Sequence, residues 1–485
     1  MSKLILGYDF IGKFGNIPNT FPTDLLEPVF KKKSGDFNHT LGMFNSGAAF
    51  DETIDPNRND EVSNIGHKNF VNWSVYNGTS WLWSRFTERL SVQDIKRKGI
   101  KNWVYIIEPF GSLHAFLGLK QRDDDIYEDK FFTKYISNFA KKEIKKGNCK
   151  ILINYMHEGL VTNDDMRRLH ECLDEFNLPH SSLIFVVNDW SAQKRYNKLF
   201  NTKNGIKFIY TQYSMVEKSW EFNEILYDRY TYDTNWAGDK ISVVTKKDFL
   251  DYKDKIRNHH FNCLNRRIRP HRYSLLCRLL ENNLIDNNLV SFSFTMDGRP
   301  HYDALYQFLR NKKLTDKFYG MYQELLSMSP RVVDYKDFEA ISGFRFENKD
   351  PYLDSYFNVI TESWFTEQSD YLSEKAWRGF GHFQPFIIYG RPNSLKELRR
   401  LGYKTFHPYI DESYDTITHP RKRLDAISKE IERLSSMSLE KLHEWYYSME
   451  DILIYNNQKF LEYGTRKNKE KFHENVIEEV KKCWN

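Results

Sequence analysis

The chain has 485 residues, 40% of them hydrophobic and 28% charged, the make-up of a globular protein with room for two domains. A formal charge of +5 is too small at this length to imply nucleic-acid binding by itself. Five scattered cysteines without a CxxC pair argue against a disulfide framework and a zinc site. The opening MSKLILGYDF is too short and too polar downstream for a signal peptide, and no run of about 18 apolar residues exists to span a bilayer, so the expectation is a cytoplasmic protein.

Residues 1–100 mix short apolar pieces with polar loops and read as irregular. From 101 the pattern changes. NWVYIIEPFG predicts a strand, 127–147 a helix ended by Gly147, 150–160 a buried strand and 163–177 a helix with an Asn/Asp start. SSLIFVVNDW predicts the next strand, 191–200 a short helix and IKFIYTQYS another strand. Strands alternating with helices imply βαβ units and a mostly parallel sheet. That gives a first Rossmann-like domain over 1–230, with its α/β part in 101–230. Residues 231–257 are polar and weakly periodic, and the domain junction is placed there.

HHFNCLNRR then opens a second α/β series. PHRYSLLCRLLENNL predicts an amphipathic helix with Pro270 in its first turn, NLVSFSF a strand, and 301–330 helix. YFNVITESWF predicts a strand, 373–384 a helix, PFIIYG a strand, SLKELRRLG a helix closed by Gly402, and YKTFHPY a last strand. The second Rossmann-like domain thus spans 258–420, and 421–485 reads as helices only. The expected fold class is α/β with two such domains and a C-terminal helical tail.

The chemistry concentrates in the second half. Arg266, Arg267, Arg269 and Arg272 gather at a strand end and the helix start after it. Guanidinium forks there suit phosphate oxygens, although a solvated basic turn has the same composition. His271, beside a proline, reads as a structural hydrogen-bonder. In 359–390 an apolar strand ends in Glu362 and Ser363, and Ser373 is placed to cap a helix with Glu374 and Lys375 in its first turn. A helix start facing the carboxyl ends of strands is where α/β folds bind phosphate-bearing ligands. Glu362 and Ser363 would line the same crevice. Tyr371 reads either as a ring to stack on a base or as core.

These segments resemble the donor-binding half of two-domain, nucleotide-sugar-dependent glycosyltransferases. The pattern is similar to the α1,3-fucosyltransferase-like group and to glycosyltransferase-like proteins of phages and large viruses. The resemblance rests on Asn-Arg-Arg-x-Arg-Pro-His-Arg at 265–272, Thr-Glu-Ser at 361–363, Ser-Glu-Lys at 373–375 and Gly-x-Pro-x-Ser-Leu at 390–395, and covers about 258–420. It implies the GT-B architecture, two Rossmann-like domains facing each other across a cleft, with the terminal helices packing back on the first. It implies that Glu374 accepts from ribose hydroxyls and that Lys375 approaches the phosphates. The implied reaction moves a hexosyl or pentosyl group from a nucleoside-diphosphate-sugar to a hydroxyl of a glycan, a protein or a modified base in DNA. A phage or viral origin would place the protein in the host cytoplasm.

An inverting transfer needs a base for the acceptor proton, expected from the first domain. Glu158 leads, with His157 and Asp189 behind it; all follow predicted strands, where acids also serve to cap the next helix. Glu108 follows a predicted strand in the same way. Asp123 and Asp125 have Asp-x-Asp spacing in a highly charged loop with no apolar strand leading in, which reads as a solvated turn, so no metal and no cofactor beyond the sugar nucleotide as co-substrate is expected. GxxxxGK[ST], HExxH and GxGxxG after a strand are all missing. The alternative is a non-catalytic nucleic-acid- or carbohydrate-binding module on a degenerate transferase scaffold.

Overall fold

The structure is a computed structural model and describes residues 3–8, 86–107, 136–156, 161–227, 241–296, 299–300, 316–334, 347–363, 365 and 370–484. It divides into two compact units, the first Met1–Tyr213 with Gln368–Tyr371 and Lys469–Asn485, the second Ser214–Glu367 with Leu372–Asn468.

The first unit is built on a six-stranded, all-parallel sheet of β1 (Leu4–Tyr8), β2 (Thr87–Ser91), β3 (Trp103–Ile107), β4 (Cys149–Tyr155), β5 (Leu183–Val187) and β6 (Lys207–Tyr210), in the order β2-β1-β3-β4-β5-β6. The central strands are buried on both faces, as a parallel sheet flanked by helices demands. One face packs Trp103, Ile151, Ile153 and Phe185 against α1 (Val92–Lys98), α2 (Asn138–Lys145), α3 (Asn163–Glu175) and α4 (Ala192–Phe200). The other packs Val104, Leu152, Ile184 and Val186 against Val476, Ile477 and Val480 near the chain's end. The region 1–100, read from sequence as irregular, supplies two strands and a helix of this unit. β1, LILGY, is one of the short apolar pieces of that region, whereas β2 is the polar edge stretch TERLS and carries no apolar run to mark a buried strand.

The second unit begins at Ser214, inside α5 (Tyr213–Leu226), and continues with α6 (Lys246–Asp251), the latter within the stretch read as a junction. Its sheet holds β7 (His259–Arg267), β8 (Leu289–Ser293), β11 (Ser355–Thr361) and β12 (Phe386–Tyr389), all parallel, in the order β12-β11-β7-β8; the two-residue β9 (Thr295–Met296) and β10 (Arg299–Pro300) form a separate hairpin. The helices between are α7 (Pro270–Glu281), α8 (Asp316–Ser327), α9 (Asp350–Leu353), α10 (Glu374–Gly381) and α11 (Ser394–Arg400). Helices α12 (Pro420–Ser435), α13 (Leu439–Tyr447), α14 (Glu450–Tyr463) and α15 (Arg466–Lys482) close the chain as an all-helical tail. Of that tail, residues up to Asn468 belong to the second unit and those from Lys469 to the first.

The stretch 403–409, read as a last strand, joins no sheet. Its backbone is satisfied by side chains instead. Asn456 accepts from the Lys404 N–H at 2.9 Å and donates to the Lys404 carbonyl at 2.8 Å, and Glu412 accepts from the Phe406 N–H. An extended apolar segment needs its polar groups paired, but nothing requires the partner to be a strand.

Gly464, at the end of α14, is fixed by close approach. A Cβ there would stand 2.2–2.4 Å from the Ser219 and Trp220 backbone of α5. Neither backbone can retreat, because Asn223 of α5 donates to the Leu461 carbonyl at 2.8 Å and Ser219 to that of Phe460. Gly464→Ala is expected to lower stability by about 1–3 kcal/mol or more, read by urea unfolding. An unchanged midpoint would show that the two helices have room to part.

Candidate functional site

Strand order decides where the second unit can bind a ligand. From β7 the chain crosses through α7 to β8 on one side; from β11 it crosses through α10 to β12 on the other. The connections therefore leave in opposite directions from the carboxyl ends of two neighbouring strands. That divergence opens the crevice in which open α/β sheets bind ligands. The four-Arg segment runs from the end of β7 into α7, and the Glu-Ser and Ser-Glu-Lys segments follow β11, so both sequence motifs meet at this one place.

The contacts are direct. Arg269 is the N-cap of α7 and donates from its guanidinium to the Ser363 carbonyl, a residue 94 positions away. His271 bonds the Glu362 carbonyl through Nε2 at 2.9 Å, and Arg272 donates to the Thr361 carbonyl at 3.4 Å. Pro270 takes the first helical position, where its missing N–H is not needed. From the other segment, Lys375 Nζ reaches Ser363 Oγ at 3.0 Å, Ser373 Oγ at 3.4 Å and Glu374 Oε1 at 2.7 Å. Ser373 caps α10 through its hydroxyl, which accepts from the Lys375 N–H at 3.3 Å. The Glu362 carboxylate lies buried beneath, accepting from the backbone N–H groups of Ser363 and Ser373 at 3.2 Å. Gly390 leaves it room, since a Cβ at that position would come within 2.8 Å of Glu362 Cγ.

Arg269, Arg272 and Lys375 thus crowd at one edge of the sheet, and their charges feel each other. Burial and then the Arg269 charge bring Arg272 down to about 10. Burial lowers Lys375, with Glu374 working against that and Arg272 adding to it. His271 is pushed down to about 3 by burial and by Arg272, so it stays neutral and donates through Nε2–H. Burial works to raise Glu374, but Lys375 and Arg378 outweigh it and hold the carboxyl down at about 2. Glu362 is raised by burial, with Lys375 opposing. Like charges held together in a partly desolvated crevice are what an anionic ligand relieves.

The predicted residues therefore fall into groups. Arg269, Arg272, Glu362, Ser363, Ser373, Glu374 and Lys375 come together. Arg266 and Arg267 end β7, but their side chains lie outside the described residues, as do His157, Glu158 and Glu108. Tyr371 belongs to the first unit, whereas Ser373–Lys375 belong to the second. Asp189 is wholly buried. One oxygen accepts from Ser191 N–H at 2.9 Å, Ser191 Oγ at 3.0 Å and Asp370 N–H at 3.3 Å, and the other pairs with Arg195 at 2.5 Å. That bonding fixes its own loop and the start of α4, and it suits a carboxylate anchoring structure rather than one taking a proton from a substrate.

Sequence reasoning missed three things here. Phe365 lies against His271, with ring centroids 5.3 Å apart at 8°, and against Tyr389 at 4.8 Å, while the buried Arg423 guanidinium sits 4.6 Å over its ring. Phe365 stood unread inside YFNVITESWF, and nothing in the sequence tied Arg423 to it. The third is an ionic cluster behind α10. Glu347 accepts from Lys218 Nζ at 3.0 Å, Arg378 Nε at 2.8 Å and His382 Nε2 at 3.2 Å, and Lys218 also binds Glu221 at 2.7 Å. Val244 N–H donates to His382 Nδ1, which fixes the tautomer. Arg378 lies one turn beyond Glu374 on α10, so the cluster supports the helix that presents Glu374 and Lys375.

No family model matches the chain, and no curated protein matches it by sequence. Solved structures similar to it include an E. coli protein titled "Trehalose-6-phosphate … bound with UDP-2-fluoro glucose" (11% identity, 99% of each chain, TM-score 0.41). Others are the N-terminal domain of Candida albicans trehalose-6-phosphate phosphatase (10%, 99% of this chain and 97% of that one, 0.39) and an α,α-trehalose 6-phosphate synthase from Burkholderia multivorans (9%, 99% and 97%, 0.40). At these scores the likeness gives no residue of this chain a role.

Proposed function

We propose that the second unit binds a nucleoside-diphosphate-sugar and that the protein is a glycosyltransferase of the two-domain GT-B kind. The observation that carries this reading is the convergence of Arg269, Arg272 and Lys375 at the switch point between β7 and β11, beside the start of α10. Three cations and a helix N-terminus suit a diphosphate. Held ionised, Glu374 is acceptor-only, which suits ribose hydroxyls.

In the transfer the acceptor oxygen forms a bond to the anomeric carbon as the bond from that carbon to the phosphate oxygen breaks. The electron pair leaves with the nucleoside diphosphate, and the acceptor proton passes to a base. Arg269, Arg272 and Lys375 stabilise the negative charge that grows on the leaving group, so the diphosphate needs no divalent cation. Glu158 leads as the base with His157 behind it, Asp189 being committed to its own loop and the start of α4. The acceptor is a hydroxyl, on a glycan, a protein or a modified base in DNA.

A thermal-shift screen of UDP-, GDP-, TDP- and CMP-sugars tests this. One nucleotide class is expected to raise the melting temperature and to support sugar transfer or hydrolysis. Lys375→Ala removes a charge-assisted contact and should weaken that nucleotide by about 10- to 100-fold, the equivalent of about 1.5–3 kcal/mol. Arg378 remains beside Glu374 in the variant, so the fold should persist. If no nucleotide shifts the wild type, or the variant binds as tightly, the assigned pocket is wrong.

A further inference from the structure

We propose that His170, Asp174 and His180 in the first unit form a site for one divalent transition-metal ion of the zinc class, which clips the end of α3 to the turn before β5. The local sequence builds it. His170 and Asp174 are four residues apart on α3 and so share one face of the helix. The helix then stops in a Schellman turn. Asn177 adopts the left-handed conformation at φ 51°, its N–H donates to the Asp174 carbonyl at 2.9 Å, and the Leu178 N–H donates to the Leu173 carbonyl at 2.9 Å. Pro179 follows and leads into the short 3-10 turn His180–Ser182. The reversal returns His180 over the helix face that carries the other two.

One ligand atom from each of the three lies within 4.8 Å of the other two. His180 Nε2 is 2.7 Å from Asp174 Oδ1, and His170 Nδ1 is 3.7 Å from Asp174 Oδ2. Bonds of about 2.0–2.2 Å to a tetrahedral ion set ligands about 3.4 Å apart, and the two histidine–aspartate separations, each to a different carboxylate oxygen, lie on either side of that. Two imidazoles and a carboxylate suit zinc and its neighbours, with water in the fourth position. His170 stacks on Phe200 at 4.0 Å and 6°, and its centroid is 3.5 Å from that of His180, so the two imidazoles swing apart to close on one ion. Asp174 is 62% exposed and His180 29%, so an ion can enter without the unit opening. The ion would be structural, and no step of the proposed transfer passes through it.

The test uses the full chain without a polyhistidine tag, stripped by a chelator and titrated with Zn²⁺ by equilibrium dialysis, and with Co²⁺ by visible absorption. The expected result is one equivalent of Zn²⁺ at submillimolar free metal and a tetrahedral Co²⁺ spectrum. His180→Ala and Asp174→Asn should each weaken binding by about tenfold or more and abolish the spectrum, with unliganded melting unchanged. Should His180→Ala melt early, His180→Gln replaces it with a near-isosteric side chain and the same readouts. An unbound wild type, or undiminished binding in the folded variants, overturns the site.

Discussion

Replacing Glu347 with glutamine is expected to lower the stability of the second unit by about 3–5 kcal/mol, the loss usual when one partner of a buried ion pair is removed. Glu347 is 1% exposed in its side chain and holds Lys218, which is 4% exposed, together with Arg378 and His382. Burial works to raise its carboxyl, but Arg378 and Lys218 outweigh that and keep it ionised. Burial opposes the Lys218 ammonium too, yet Glu221 and Glu347 hold it above its ordinary value. Glu221 is the weaker counter-charge, since burial pushes it up and Lys218 only partly offsets this. The variant therefore leaves a buried ammonium whose remaining counter-charge, Glu221, is itself disfavoured by burial. Urea unfolding followed by tryptophan fluorescence measures the loss. The double variant Glu347→Gln with Lys218→Met should recover part of it, because the stranded charge is gone. A single-variant cost under about 1 kcal/mol, or no recovery, would mean that water reaches the cluster and screens it.

The same cluster shows what the sequence conceals. Helix α5 was not read from sequence, because it buries Lys218, Ser219, Glu221 and Asn223 alongside Met215, Val216 and Phe222. Polar residues at interior positions erase the apolar stripe on which a helix is recognised. The short apolar strands β3, β4, β5, β11 and β12 were legible for the converse reason: within them only Lys150, Asn154 and Asn358 break the apolar run. The candidate site was legible in its residue types and not in its assembly. Four arginines before a helix and Ser-Glu-Lys at the start of another are visible in the letters. That they face one crevice depends on β7 and β11 being neighbours with their crossovers diverging, and strand order is a property of packing. Glu362 shows the gap. It was read as lining the crevice, yet it is 1% exposed and organises the Ser363 and Ser373 backbone from below. His271 fared the other way, since a histidine after proline at a helix start read as a structural hydrogen-bonder and bonds a carbonyl.

That histidine gives the site a pH signature. Its folded pKa is about 3, against an unfolded value of about 6.5. Between those values the unfolded chain binds a proton that the folded chain refuses, so stability falls as the pH drops below about 6.5 and goes on falling toward 3. From pH 7 to pH 5 the loss from His271 alone is about 2 kcal/mol, and over the whole window about 5 kcal/mol. Glu374, depressed to about 2, acts in the same sense lower down: its contribution is full above its ordinary range and is lost as the pH falls toward 2. Glu362, raised by burial, acts in the opposite sense, and His382, lowered by burial, adds to the His271 trend. Urea unfolding at fixed ionic strength should therefore show a steep acid slope, and His271→Gln, which keeps a donor for the Glu362 carbonyl, should flatten it by about 2 kcal/mol between pH 7 and 5. Arg272, Arg269 and Lys375 contribute to the depression after burial, so an anion seated among them should raise His271 toward its ordinary value. A bound nucleoside diphosphate is then expected to protect the fold more at pH 5.5 than at pH 7.5, with proton uptake on binding. Equal protection at both would place the ligand away from His271, and an unchanged slope in His271→Gln would assign the acid sensitivity to other groups.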